Sequence, residues 1–130
     1  EIILTPDGVQ FLIGDEGTRL WAPPNEARVA PLESLNFGSY EPEESNVMNI
    51  LASGAKHILD VGANIGYHAI RLAIREPSAN VYAFEPLPLT YQFLHRNVAL
   101  NDLSDRIFLF AHALSNANGS FDFYTAPNLF

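Results

Sequence analysis

The chain has no cysteine among its 130 residues, and that one absence removes disulfide frameworks, thiolate metal sites and cysteine nucleophiles together. It fits a reducing compartment, so a cytoplasmic location is the expectation. Cations are scarce as well: seven Lys and Arg stand against fifteen Asp and Glu, a formal charge of −8 at pH 7. So few cations cannot neutralise many phosphates, and Lys56, Arg71, Arg75, Arg96 and Arg106 form no run, which argues against nucleic acid as a partner. No apolar run approaches the roughly 18 to 20 residues that a membrane span requires, and no signal peptide is recognisable. His57, His68, His95 and His112 lack close ligand spacing, so no metal site is expected. Internal repeats and low-complexity tracts are missing too.

What is there is an ordinary globular composition, 48% hydrophobic and 17% charged, enough for one compact core and short for two. Up to about residue 40, short apolar runs alternate with turn signals. Ile2-Ile3-Leu4 leads into Thr5-Pro6-Asp7-Gly8, Val9 to Ile13 into Gly14-Asp15-Glu16-Gly17, and then Thr18-Arg19-Leu20-Trp21 follows. That pattern predicts a small β-meander, with an irregular linker over residues 22–40. From Glu41 the pattern changes to helix and strand in turn. Pro42, with Glu43 and Glu44 behind it, suits a first helical turn. Val47, Ile50 and Leu51 share one face of that helix, and Ser53-Gly54 stops it. A strand over 57–61 follows, then a helix over 66–75 with Ile70, Ala73 and Ile74 inward, and a strand over 80–84. A helix from Pro88 to about Asn101 carries the stripe Tyr91, Leu94 and Val98, and a third strand runs from Arg106 to Ala113. Asn118-Gly119 predicts a hairpin whose second arm is Phe121 to Tyr124. The expectation is an α/β fold, with three parallel strands joined by right-handed crossover helices. Residues 1–40 form a meander and linker, and residues 41–130 form the second unit.

The informative stretch is Asp60-Val61-Gly62-Ala63-Asn64-Ile65-Gly66, between a strand and a helix. A ligand approaching such a turn needs backbone free of side chains, hence the glycines. The helix start offers N–H groups to a polar or anionic ligand group. Gly62 and Gly66 stand four apart with Asn64 between them, which does not meet the dinucleotide fingerprint G-x-G-x-x-G. A tight strand–helix turn with no ligand would also favour glycines. Glu85 ends the next strand, 25 positions after Asp60, about where such sheets place an acid that binds a ribose. It could equally be a solvated acid capping the helix at Pro88. Ser115 and Ser120 have no base at a recognisable distance, and Phe108, Phe110, Phe121 and Phe123 read as core strand residues.

The run Ile58 to Tyr67 resembles the S-adenosylmethionine motif of the FkbM-type methyltransferases. Ala83-Phe84-Glu85-Pro86, Arg96-Asn97 with Leu100-Asn101, Ala113-Leu114-Ser115 with Gly119 and Phe123-Tyr124, and Tyr40-Glu41-Pro42-Glu43 resemble that family's pattern in order. The resemblance implies a Rossmann-like class I methyltransferase fold with S-adenosylmethionine as cofactor and a small-molecule substrate, methylated on a hydroxyl of a metabolite or sugar. It implies that Gly62, Ala63, Asn64 and Gly66 line the methionine part while Asp60 organises the turn. Glu85 would take the ribose hydroxyls, Pro86 and Leu87 would pack on the adenine, and Ala113 and Leu114 would close its other side. Two readings of Tyr67 and His68 stay open, facing the cofactor or ordinary packing. The same holds for Glu41, Glu43 and Glu44, either a helix N-terminus or a neighbour of the cofactor's amino group.

The family continues with a fourth strand that pairs with the first, and no such strand precedes Phe130. The chain therefore reads as the cofactor half of a longer protein, with no substrate base in sight. A homo-oligomer pairing at the apolar edge Ile58 to Val61 and the N-terminal meander covering it are the other ways to shield it. A non-catalytic binding module and a nucleotide-binding oxidoreductase domain are the competing readings.

Overall fold

Three short strands open the chain: β1 (Ile2–Thr5), β2 (Gly8–Ile13) and β3 (Thr18–Ala22). They pair antiparallel in that order, the meander that the turn signals predict. Helix α1 (Pro42–Ala52) follows, then β4 (His57–Val61), α2 (Tyr67–Arg75), β5 (Asn80–Phe84), α3 (Pro88–Leu100) and β6 (Ile107–Phe110). Strands β4, β5 and β6 form a parallel sheet in that order. The architecture is the α/β arrangement with a parallel three-stranded sheet. It is taken from a computed structural model that describes residues 1–24, 31, 33, 34, 36, 40–120, 122 and 124. Among them no helix is long and apolar enough to cross a membrane.

The register explains where the core lies. Ile58, Val81 and Ile107 are aligned across the sheet, as are Asp60, Ala83 and Leu109. Alternation puts these rows on one face, and Val81, Ala83 and Ile107 are buried there with Ile65, Ile70, Leu94 and Val98. Phe11, Ile13, Leu20 and Ala22 of the meander belong to the same cluster. The opposite face carries Leu59, Val61, Phe108 and Phe110, all exposed. Tyr82 stacks on Phe108 and Phe84 on Phe110, with ring centroids 5.3 and 4.7 Å apart. The expectation that Phe108 and Phe110 are core is therefore corrected. They alternate as strand residues should, but on the side that no described element covers.

Three further expectations change. The third strand ends at Phe110, short of Ala113, and residues 111–120 carry no strand. The expected hairpin thus has no ladder among the described residues, and most of its second arm lies outside them. The stripe Val47, Ile50 and Leu51 of α1 faces water; Ser45 and Ala52 are the residues that the helix buries. The linker expected over 22–40 falls mostly outside the described residues, and Pro31, Glu33, Ser34 and Asn36 within it have helical backbone.

Polar contacts fix the meander to the α/β unit. Glu16, in the turn between β2 and β3, accepts from Arg71 and from Arg75 of α2, the latter at 3.0 Å. Arg96 of α3 lies 3.6 Å over the Trp21 ring and pairs with Asp7 at 2.7 Å; the Arg96 hydrogen bond leads in lowering the Asp7 pKa to about 2. Asn101 accepts from the Arg19 N–H at 2.8 Å and donates to its carbonyl at 2.7 Å, which satisfies the open edge of β3. Burial works to raise the Glu16 pKa, but the Arg71 hydrogen bond and charge carry it below its ordinary 4.5. A lowered folded-state pKa adds stability above the ordinary value and loses it as pH falls through the folded one. Glu16→Gln should lower unfolding free energy by about 1–2 kcal/mol at pH 7. The deficit should shrink below pH 4.5 in urea unfolding followed against pH.

Candidate functional site

At the C-terminal ends of β4 and β5 the chain makes two adjacent loops. The first, Gly62 to Gly66, turns from β4 into α2 through three positive φ angles: 84° at Gly62, 50° at Asn64 and 92° at Gly66. Glycine suits the first and last because side chains rarely adopt that backbone. A Cβ at Gly62 would meet nothing within 4 Å, so the loop is open on that side. A Cβ at Gly66 would lie 2.8 Å from Leu94 Cδ1, so there the helix packs against bare backbone.

The loop amides are already engaged. Gly62 and Ala63 N–H both donate to the Phe84 carbonyl at 2.9 Å, and Gly66 N–H donates to Ala63 at 2.8 Å. Asn64 N–H donates to Glu85 Oε2 at 3.0 Å. At these four positions the sharp turn folds the loop amides onto β5 and onto itself, ahead of the first turn of α2.

Side-chain oxygens are what the loop leaves free. Asp60 Oδ2 and Asn64 Oδ1 are buried and have no hydrogen-bond partner, an arrangement that costs free energy unless a donor arrives. Burial pushes the Asp60 carboxyl up, His68 and the Ala69 amide draw it back, and the Glu85 charge adds to the rise. Glu85 is buried, and its Oε1 accepts from Leu87 N–H at 2.9 Å while Oε2 holds Asn64. A carboxylate accepts about four hydrogen bonds, so two sites remain for ligand hydroxyls.

The other expected residues distribute around this centre. Ala63 is buried and Pro86 and Leu87 are half-buried at the start of α3. Ala113 and Leu114 lie past the end of β6 rather than in it and are exposed. With Pro86 they line a cavity of about 530 Å³ that also takes in His112 and Asn118. Tyr67 is buried, and its hydroxyl accepts from Tyr40 N–H at 3.0 Å and Arg71 at 2.9 Å, which makes it a packing residue. Glu43 and Glu44 are exposed in the first turn of α1. Glu41 instead reaches His68, Oε2 to Nε2 at 3.1 Å. Among the described residues no group of His, Asp and Glu could hold a metal.

The contacts of three residues named from sequence were not foreseen there. Asn97, wholly buried, accepts from Trp21 N–H at 2.8 Å and donates to the Ile65 carbonyl at 2.9 Å, so the loop is tied to the meander through one side chain. The Glu41–His68 pair spans 27 positions. A glutamate before a proline was its only local signal.

A sequence profile of the TRM5/TYW2 methyltransferase domain matches residues 31–119. The methyltransferase sdnD of Sordaria araneosa is 39% identical over 72 residues, 55% of this chain and 28% of that protein. The hexuronic acid methyltransferase AglP of Haloferax volcanii is 35% identical over 91 residues, 65% of this chain and 34% of that protein. The chain thus spans about a third of the length of these relatives. In fold it is similar to M. jannaschii TYW2 in complex with AdoMet, with a TM-score of 0.55 and 22% identity over 83% of this chain and 45% of that one.

Proposed function

The chain belongs to the family of the TRM5/TYW2 methyltransferase domain, and from that premise we propose that its loops bind S-adenosylmethionine for methyl transfer to a hydroxyl of a small metabolite or sugar. The observation that carries this reading is the pair of buried, partnerless acceptors, Asp60 Oδ2 and Asn64 Oδ1, beside Glu85. Together they suit a ligand that brings an ammonium group and ribose hydroxyls. When bound, the cofactor supplies an electrophilic methyl group on a sulfonium centre.

In this assignment Asp60 and Asn64 accept from the amino group of the methionine part, along the open side of Gly62 and Ala63. Gly66 gives the helix its close start. Glu85 keeps its two amides and accepts from the ribose hydroxyls. Pro86 and Leu87 pack on one side of the adenine, and Ala113 and Leu114 on the other. We assign residues 41–130 to this cofactor-binding half and residues 1–40 to an N-terminal brace. On the motifs around Asp60, Glu85 and Asn97 we also propose a kinship with the FkbM-type methyltransferases. A sugar-acid acceptor is supported by the likeness to the hexuronic acid methyltransferase AglP. A cytoplasmic location goes with the cysteine-free composition. Self-association, where it occurs, belongs at the free edge of β4 and the apolar sheet face of Leu59, Val61, Phe108 and Phe110, which it would remove from water.

Calorimetric titration with S-adenosylhomocysteine tests the reading. Glu85→Gln should weaken binding about 100-fold, since hydrogen bonds to a charged group contribute roughly 1.5–3 kcal/mol each, and Gly62→Arg should abolish it by filling the open side of the loop. Absence of binding by the unaltered full-length protein would sink the assignment. Binding of NADH in its place would point to an oxidoreductase.

A further inference from the structure

We propose that His68 is the general base that takes the proton of the methyl-acceptor hydroxyl, with Glu41 as the positioning residue that fixes its tautomer. The proposal rests on the methyl-transfer reading above, and its geometry is independent of it. His68 is the second residue of α2, two positions after Gly66. Its Nε2 lies 3.1 Å from Glu41 Oε2. An ionised carboxylate only accepts, so in the neutral ring the contact places the proton on Nε2 and leaves Nδ1 with a lone pair. Nδ1 makes no hydrogen bond among the described residues. A carboxylate fixing one imidazole nitrogen while the other stays free to accept is the arrangement by which a histidine works as a base.

The glutamate is held with care. Glu41 has a φ of 45°, a left-handed backbone on a residue that is not glycine, which costs on the order of 1–3 kcal/mol and persists only where the surroundings over-determine it. Here they do. Ser45 N–H donates to the Glu41 carbonyl at 2.9 Å, Ser45 Oγ donates to the Tyr40 carbonyl at 3.3 Å, and Tyr40 N–H donates to Tyr67. Simple capping of α1 does not account for this strain, because the Glu41 side chain makes no cap hydrogen bond. The ring of His68 sits against Tyr67 at 4.9 Å and near Tyr40 at 6.2 Å, which limits its rotation. The charged and titratable groups facing it are Glu41, Asp60 from β4, and Tyr40 and Tyr67; Arg71, one turn along α2, is taken by Glu16, Ser45 and Tyr67. His68 and Asp60 line one groove of about 350 Å³ beside the β4 edge, with Met48, Ile58 and Leu72; a hydroxyl seated there would meet the base beside the residue assigned to the methionine end. As the acceptor oxygen bonds to the methyl carbon, the carbon–sulfur electron pair stays on sulfur. The hydroxyl proton passes to His68 Nδ1, and from there to water.

Two measurements on the full-length protein decide it. Long-range proton–nitrogen NMR of the imidazole at pH 8 should show His68 protonated on Nε2 and bare on Nδ1, with that preference lost in Glu41→Ala. A proton on Nδ1 overturns the proposal without any turnover being measured. In methyl transfer from labelled S-adenosylmethionine to glucuronic acid and a panel of simple alcohols, His68→Gln should lower kcat by about 10² to 10⁴-fold, with S-adenosylhomocysteine affinity changed less than about threefold. The rate should rise with pH in the parent, and that limb should disappear in His68→Gln. Glu41→Gln should lower kcat with KM unchanged, and Glu41→Asp should restore part of the loss. Equal loss of kcat and cofactor affinity in His68→Gln, or cofactor binding with no transfer to any hydroxyl, overturns the base; failure of the parent to bind S-adenosylhomocysteine brings down the methyl-transfer reading instead.

Discussion

Gly66→Val is expected to abolish S-adenosylhomocysteine binding and to remove about 2–6 kcal/mol of folding stability. Two independent costs add. The residue sits at φ 92°, where an L side chain costs on the order of 1–3 kcal/mol. Its Cβ would lie 2.8 Å from Leu94 Cδ1 and 3.2 Å from Ile70 Cδ1, both on fully buried side chains, and overpacking of that kind costs about 1–3 kcal/mol. Against a domain stability of roughly 5–15 kcal/mol, that is a large share. Relief requires the Leu94 and Ile70 side chains to shift within a closed core or the start of α2 to move, and either disturbs the turn from Gly62 to Gly66. Gly62→Ala makes the contrast. It has a similar backbone strain at φ 84° but nothing within 4 Å of the added carbon, so urea unfolding should show a loss nearer 1–2 kcal/mol while titration still shows weakened binding. Equal effects of the two substitutions on stability would mean that the packing of Gly66 on Leu94 is not what shapes the loop.

That contrast also marks what a sequence can disclose. The order of strands and helices was legible, because apolar periods of two and of 3.6 residues separate cleanly between Ile58 and Val98. The turn at Asp60 to Gly66 and the acid at Glu85 were legible for a related reason: both sit where a strand pattern stops. What the loop does with its amides was not, since the Phe84 carbonyl and Glu85 that take them lie about twenty residues away. Phe108 and Phe110 show the same limit on a larger scale. Alternation says that they share a face, but only the placement of α2 and α3 says which face is covered, and those helices pack on the side of Val81 and Ile107. The stripe of Val47, Ile50 and Leu51 was visible as a stripe and turned out to face water. Glu41 read as a helix start because Pro42 follows it. Its left-handed backbone and its reach to His68 depend on Tyr40, Ser45 and Tyr67 being brought together by the fold.

Asn97→Ala should produce the largest loss among substitutions that leave the backbone unstrained, about 2–5 kcal/mol in urea unfolding. The side chain is 0% exposed and makes two bonds, accepting from Trp21 N–H at 2.8 Å and donating to the Ile65 carbonyl at 2.9 Å. Deleting it strands a buried donor and a buried acceptor, each at a cost of about 1–3 kcal/mol, at a position that is itself closed to solvent. Asn97→Asp should be at least as harmful, because it keeps the acceptor but places a charge where the Ile65 carbonyl needs a donor. Asn101→Ala, which removes two exposed bonds to Arg19 and a half-buried one to the Asn97 carbonyl, should cost only about 1 kcal/mol because water replaces most of the lost partners. The functional consequence separates two views of the meander. Ile65 lies inside the turn assigned to the methionine end, so a meander that braces the loop predicts that Asn97→Ala also weakens S-adenosylhomocysteine binding, by about tenfold or more, at temperatures where the variant is still folded. Unchanged affinity in a folded Asn97→Ala protein would make residues 1–40 a stabilising cover only. It would leave the conformation of the loop to Gly62, Gly66 and Glu85 alone.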